Sequence, residues 1–369
     1  MRFSSIDVLR MVAIFVMVIV HFAENLSGVV VPITGFGAPL FVFLSGLSYR
    51  LWVHGLEATG TRDEEISKRS IRRGLFIFGC GFAFNLIVWL PEDLFNWDVL
   101  TFIGFSMLVL NGMRRLPLAI PILVTVLSIL ISPILRGVFD YPAYWVNHYF
   151  EYDLTLSDVL IGFLATGYFP IFPWIAYSLT GLSVGSWVLR PSRSLNIEDK
   201  AILEKQITSK IIGLGASLIV ASGLLLIARP YLPAPISNRL FGGWTMFPPS
   251  TEYVIATIGW ALIVFRITHL LIDRPIISPQ VKGFLNIAKS FSRYSLTIYV
   301  LHHLFHLWPM WIYAIVNGEE PTFYWQKMMP VTYSIPLAFL FLIGCYFILR
   351  KLGPDRRWGI EGWMRWLCD

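Results

Sequence analysis

Residues 6–24 read IDVLRMVAIFVMVIVHFAE. At a rise of about 1.5 Å per residue, a helix of this length nearly crosses a hydrocarbon core of about 30 Å. The run is apolar but carries Asp7, Arg10 and His21. No small-residue cleavage site follows it, so it reads as a retained span rather than a cleavable leader. Nine further segments share its character: 29–51, 74–90, 98–112, 116–135, 168–189, 210–229, 252–272, 293–316 and 331–350. Of these, 98–112 is the shortest and most interrupted. The stretch 156–166 is too short to span and reads as interfacial or re-entrant. The expected fold is all-α, a polytopic membrane protein of about ten transmembrane helices forming one domain over residues 1–369.

Composition leads to the same class. The chain is 56% hydrophobic and only 14% charged, where a soluble domain is about 25% charged. A soluble core of this size cannot hide so much apolar surface, so much of it faces lipid. The net charge of +6 does not indicate nucleic acid, because the basic residues lie scattered in short loops between apolar runs. Cys80, Cys345 and Cys368 form no spacing pattern, and two of them fall in apolar runs. They read as packing residues.

Lys and Arg give the orientation. With the N-terminus inside, 22 of the 29 Lys and Arg residues fall on the inner side. The outer segments hold only Arg136, Arg229, Arg239 and Lys327. Both termini are therefore expected in the cytoplasm. The loops 52–73 and 190–210 are too short to be domains, and no internal repeat is visible. Gly181 and Gly185 form a small-xxx-small pair that predicts a close helix contact.

Ionisable groups inside a membrane helix are costly and usually functional. Asp7 and Arg10 share a helix face, and for Asp7 an anchoring ion pair at the interface is the favoured reading. His21 lies eleven residues beyond Arg10, about three turns, on roughly the same side and about 16 Å further along the axis. One reading of His21 is a neutral histidine hydrogen-bonded to a neighbouring helix. The other is chemical: Arg10 holds a phosphate or carbonyl of a donor entering from the cytoplasm. Desolvated His21 then acts as general base on an acceptor from the far side, or takes the transferred group itself.

Other candidates are less specific. Gly37 to Gly46 (GAPLFVFLSG) reads as a break near the middle of the second helix, of the kind tolerated where it lines a cavity. Tyr168 to Trp174 (YFPIFPW) opens the sixth helix with prolines in its first turn. His302 and His306 stand at i,i+4, a spacing that can bind metal. No carboxylate lies nearby in sequence, so buried polar packing ranks above a metal site. Arg266 can snorkel to the interface or face a phosphate. The segment 136–159 carries Tyr141, Tyr144, Trp145, His148, Tyr149 and Tyr152 among Asp140, Glu151 and Asp153. That mixture suits a sugar, but it is also ordinary for a membrane interface, which is slightly favoured.

Four of these patches carry a resemblance. Ser5-Ile6-Asp7-Val8-Leu9-Arg10 with Met17 and His21, then Ala38 to Gly46, then Tyr168 to Trp174 with Gly181 and Gly185, then Tyr294 to His303 (YSLTIYVLHH), together resemble the heparan-alpha-glucosaminide N-acetyltransferase family. That family is related to the acyltransferase-3 proteins. The chain departs from the pattern in having Met11 where a Gly usually follows the Arg, and Gly167 where many relatives have an acid. Residues 22–44 contain no histidine, which leaves His21 as the candidate there. Gly359 to Trp363 (GIEGW) resembles another branch of bacterial membrane proteins.

The resemblance implies an acyl-CoA-dependent acyltransferase. Acyl-CoA, acetyl-CoA in this family, binds from the cytoplasm, and the acyl group passes to an outer-side acceptor, often a sugar or glycan. His21 is the candidate catalytic residue, and Arg10, Arg50 and Arg266 are the candidates for the CoA end, with Arg72 and Arg73 behind them. No metal is expected. The bilayer, acyl-CoA and the acceptor are the expected partners, and a homo-oligomer is left open. In a bacterium the chain would sit in the inner membrane. The rival readings are a transporter, which usually shows an internal repeat, and a non-catalytic membrane protein, which has no use for a deep Arg–His pair.

Overall fold

The computed structural model describes residues 2–89, 94–148, 155–189, 197–273, 279–352 and 358–369. Among these residues fifteen α-helices follow one another. They are α1 (Ser4–Ser27), α2 (Gly37–Ala58), α3 (Asp63–Val88), α4 (Val99–Met113), α5 (Ala119–Val138), α6 (Tyr141–His148), α7 (Leu156–Ile161), α8 (Ile171–Val188) and α9 (Ile197–Ala228). After these come α10 (Ala234–Leu240), α11 (Thr251–Ile272), α12 (Pro279–Arg293), α13 (Ser295–Val316), α14 (Val331–Leu352) and α15 (Ile360–Cys368). Among the described residues there is no β-strand, only an isolated bridge between Met246 and Pro249.

Among the described residues, six helices are long and apolar enough to cross a membrane: α1, α3, α5, α9, α11 and α14. The pair formed by Leu156–Thr166 and α8 qualifies jointly but bends by 46°, in keeping with the short segment 156–166 failing to span alone. Helix α4 is apolar but short. Helices α2 and α13 have 22 residues each but carry Arg50, His54 and Glu57, and His302, His303 and His306, respectively. Large apolar side chains such as Leu224, Ile227, Leu271 and Phe347 stand on the outside of the protein, as lipid-facing residues do. The chain is an integral, multi-pass membrane protein.

Two local expectations change and one holds. The motif Gly37–Gly46 does not break a helix; it begins one, while Val31–Phe36 form turns. Pro39 thereby falls in the first turn of α2, where a missing N–H leaves no bond unmade. The patch Tyr168–Trp174 does open a helix: α8 starts at Ile171 after Pro170, with Phe172 non-helical (φ −99°, ψ 120°). The segments 190–210 and 274–293, expected on the inner side between spans, are not all loop: α9 begins at Ile197, and α12 occupies Pro279–Arg293. Tyr149, Glu151, Tyr152, Asp153, Arg190, Arg193, Arg274, Arg356 and Arg357 lie outside the described residues.

The chain divides into two compact units. The first comprises Met1–Arg2 and Val42–Ile267. Its helices meet through glycines. A Cβ at Gly46 would collide with the Ser178 carbonyl, and one at Gly181 with the Phe43 carbonyl. The Arg50 stem lies against Gly185. The small-residue pair in α8 is thus a close contact with α2, as its spacing predicts.

The second unit comprises Phe3–Phe41 and Thr268–Asp369. Here α1 packs against α12, α13 and α14, with Ile14, Val18, Phe22, Leu307, Ala314 and Ala338 fully buried. Both ends of α1 are tied down by tertiary contacts. Phe3 provides no side-chain cap, and Asp273 supplies one instead, accepting from Ser4 N at 2.7 Å and Ser5 N at 3.3 Å. His269 Nδ1 meets the other Asp273 oxygen at 2.8 Å. At the far end Gly28 adopts φ 66° to close the helix. The carbonyls of Asn25 and Leu26 then accept Gln326 N at 2.7 Å and Met329 N at 3.1 Å, so that orphan acceptors of the last turn are satisfied.

Candidate active site

The site is built on α1 and α13 of the second unit. His21 lies in the last two turns of α1, and its Nδ1 is 2.8 Å from His302 Nε2 on α13. The two rings stack at 5.1 Å, and His303 approaches His21 at 4.6 Å between ring centroids. One turn along each helix, Asn25 Nδ2 meets His306 Nε2 at 2.9 Å. His302, His303 and His306 are all buried, while His21 is half-buried.

The hydrogen bonds fix which nitrogen of each ring carries the proton. On α13, His302 Nδ1 faces the Ile298 carbonyl at 3.1 Å, and His303 Nδ1 the Tyr299 carbonyl at 3.2 Å. His306 Nδ1 faces the His302 carbonyl. A carbonyl only accepts, so each neutral ring holds its proton on Nδ1 and a lone pair on Nε2. The Nε2 of His302 must then accept from His21 Nδ1, which leaves the lone pair of His21 on its own Nε2. Asn25 is oriented by the same logic. Trp325 Nε1 can only donate, and it reaches Asn25 Oδ1 at 3.3 Å. The amide nitrogen of Asn25 therefore points to His306 and donates to it.

Helix α13 is itself held from outside. Glu361 of α15 accepts from Leu296 N at 2.6 Å and from Thr297 N at 3.1 Å, and its other oxygen meets the Thr297 hydroxyl. Tyr294 offers no side-chain cap to this helix, so Glu361 takes that place and sets its carboxylate at the positive end of the helix dipole. Burial pushes the Glu361 carboxyl above its usual range, against the opposing pull of these hydrogen bonds. Gly359 sits at φ 78°, and a Cβ there would collide with the Thr297 hydroxyl. The two sequence patches YSLTIY and GIEGW thus meet each other.

Arg10 lies in the same unit, where its Nη1 donates to Ser292 Oγ of α12 at 3.1 Å. Arg50 and Arg266 belong to the first unit. Arg50 Nη1 pairs with Glu57 at 3.1 Å. Arg266 is 1% exposed, with Nε donating to Thr208 Oγ1 at 3.0 Å and Nη2 paired to Glu204 at 3.2 Å. His303, Asn25, Trp325 and Glu361 have no assigned role from sequence alone. The signals for them were the doublet His302-His303 and the i,i+4 step from His21 to Asn25, which repeats the step from His302 to His306.

Residues 2–220 match the family described as heparan-alpha-glucosaminide N-acetyltransferase, catalytic. The chain belongs to this family. The match runs from the start of α1 into α9 and includes Arg10, His21 and Arg50, while α13 lies beyond it. No curated protein matches the chain. This membrane member of the family therefore carries an acetyltransferase catalytic domain, and the histidines that surround His21 come from outside the matched region.

Proposed function

We propose that the chain moves an acyl group, acetyl in this family, from cytoplasmic acyl-CoA to an acceptor on the outer side of the membrane, a sugar or glycan. The whole chain, residues 1–369, acts as one catalytic domain with ten spans and both termini inside. His21 is the general base, and Arg10, Arg50 and Arg266 are the residues we assign to the CoA end of the donor, whose phosphates suit guanidinium partners.

The observation that carries this reading is the bond between His21 Nδ1 and His302 Nε2, with the His302 proton committed to a backbone carbonyl. It leaves the His21 Nε2 lone pair as the basic atom. In the transfer, His21 Nε2 takes the proton from the acceptor hydroxyl or amine as that group attacks the thioester carbonyl. The carbon–sulfur bond breaks, and the CoA thiolate leaves with the proton that His21 returns. His302 keeps the ring in place and stabilises its transient charge, the part a carboxylate plays in a serine-hydrolase triad.

The test uses purified protein, radiolabelled acetyl-CoA and a glucosaminide acceptor. His21→Ala and His21→Gln are expected to lose about 10²–10⁴ in turnover while retaining CoA affinity. Near-wild-type turnover by a folded His21→Gln protein would remove His21 as the base.

A further inference from the structure

We propose that His21, His302 and His303 form a binding site for a divalent transition-metal ion of zinc-like softness. The three side chains come from two helices of one unit, and each offers a ring nitrogen within 4.8 Å of the other two. Zinc–imidazole bonds of about 2.0–2.1 Å at tetrahedral angles place ligand nitrogens about 3.4 Å apart. The pair His21 Nδ1 and His302 Nε2, now at 2.8 Å, needs to open by roughly half an ångström to meet that spacing. Small side-chain rotations supply such a shift.

A second observation concerns the far side of the rings. His302 and His303 each give Nδ1–H to a backbone carbonyl, of Ile298 and Tyr299. That is the outer-shell arrangement that orients metal-ligating histidines and leaves Nε2 toward the ion. The donor set is three imidazoles with neither carboxylate nor thiolate. It suits zinc, nickel or copper and not the hard ions magnesium and calcium. His21, the half-buried member, is the side on which an ion enters. A fourth coordination position remains for water.

An ion held here takes His21 through Nδ1. Neutral His21 then carries its single proton on Nε2, with no net proton gained or lost. The lone pair that acyl transfer uses is gone, and the ion inhibits. The site itself rests on the geometry alone; only the inhibition rests on the reading of His21 as the base.

The experiment is metal binding by the full chain in nanodiscs after chelator treatment. Calorimetry with Zn²⁺ is expected to give one ion per chain, and Co²⁺ to give the visible absorption of a four-coordinate site. His303→Ala is expected to weaken Zn²⁺ by about a hundredfold or more, since even outer-shell losses cost 10–100-fold. His306→Ala, whose nitrogens are engaged by Asn25 and the His302 carbonyl, is expected to bind Zn²⁺ like the wild type. Equal Zn²⁺ affinity for wild type and His303→Ala overturns the site. So does a wild-type Co²⁺ spectrum without four-coordinate bands, a result that depends on no variant. Tight Zn²⁺ binding by a protein that shows no acyl transfer even when metal-free keeps the site and overturns the catalytic reading instead.

Discussion

The Glu361 carboxylate accepts the backbone N–H of Leu296 at 2.6 Å. Sixty-five residues of chain separate the two, so the helix that carries His302 is started by a group near the C-terminal end. A helix whose first N–H groups lose their acceptor is destabilised by about 0.5–2 kcal/mol, and a buried donor left unmade costs more. Glu361→Ala is expected to lower the unfolding temperature of the solubilised protein and to reduce acyl transfer. Glu361→Gln, which keeps one acceptor oxygen, should recover most of the stability. Differential scanning of the three proteins checks the order.

In the proposed transfer, His302 positions His21 without touching the reacting atoms. His302→Ala is expected to lower kcat by about 10²-fold with little change in the KM for acetyl-CoA. His302→Gln can still accept from His21 Nδ1 through its amide oxygen and should restore part of the rate. A KM effect as large as the kcat effect would point to a general collapse of the pocket instead.

Asp273 gives a pH-dependent contribution to stability. Burial pushes its carboxyl upward, but the hydrogen bonds from His269 and Ser5 outweigh this and hold it below the usual carboxylate range. A depressed carboxyl contributes stability that is complete above its unfolded value, about 3.9, and that is lost as pH falls through the lower folded value. Asp273→Asn is therefore expected to be less stable than wild type at pH 7, by about 1 kcal/mol. The difference should shrink below about pH 4 and close only once pH has fallen below the folded value. Denaturation at pH 7 and at about pH 2 measures both ends.

Gly46 and Gly181 bring the backbones of α2 and α8 together. Backbone cannot yield as a side-chain tip can, so overpacking there costs at least about 1–3 kcal/mol. Gly46→Ala and Gly181→Ala are each expected to reduce the yield of folded protein. Gly79→Ala, where a Cβ meets nothing within 4 Å, is expected to be neutral.

The basic residues favour one side of the proposed ten-span scheme. Reporter fusions after residue 369 are expected to be active only in the cytoplasm. Fusions at the Glu319-Glu320 turn between α13 and α14 are expected to be active only on the outer side.

Much of this was legible because lipid imposes long apolar runs, which survive as a pattern in one sequence. His21 and Arg10 stood out against such a run, and the glycine pair of α8 announced its close contact. Helix α12 was hidden by its polar residues, which read equally well as an inner loop. The break expected at Gly37–Gly46 was a misplaced helix start, since Pro39 suits a first turn as well as a kink. The surroundings of His21 were illegible for another reason. His302 is 281 residues away, and no local spacing reports a pairing between distant helices. The caps supplied by Asp273 and Glu361 share this property: each replaces a local cap that the sequence lacks.

The three α13 histidines all give a proton to a carbonyl of the preceding turn. Their protonation is set by peptide dipoles, where many enzymes use a buried carboxylate. Inside hydrocarbon that choice matters, because a lone carboxylate there is costly and a backbone carbonyl already belongs to the helix. The arrangement depends instead on phase. A single residue inserted between Ile298 and His302 would turn every imidazole by about 100°, detaching His21 and Asn25 from their partners in one step. The site thus takes its resting protonation from the register of a helix, with no buried carboxylate needed to set it.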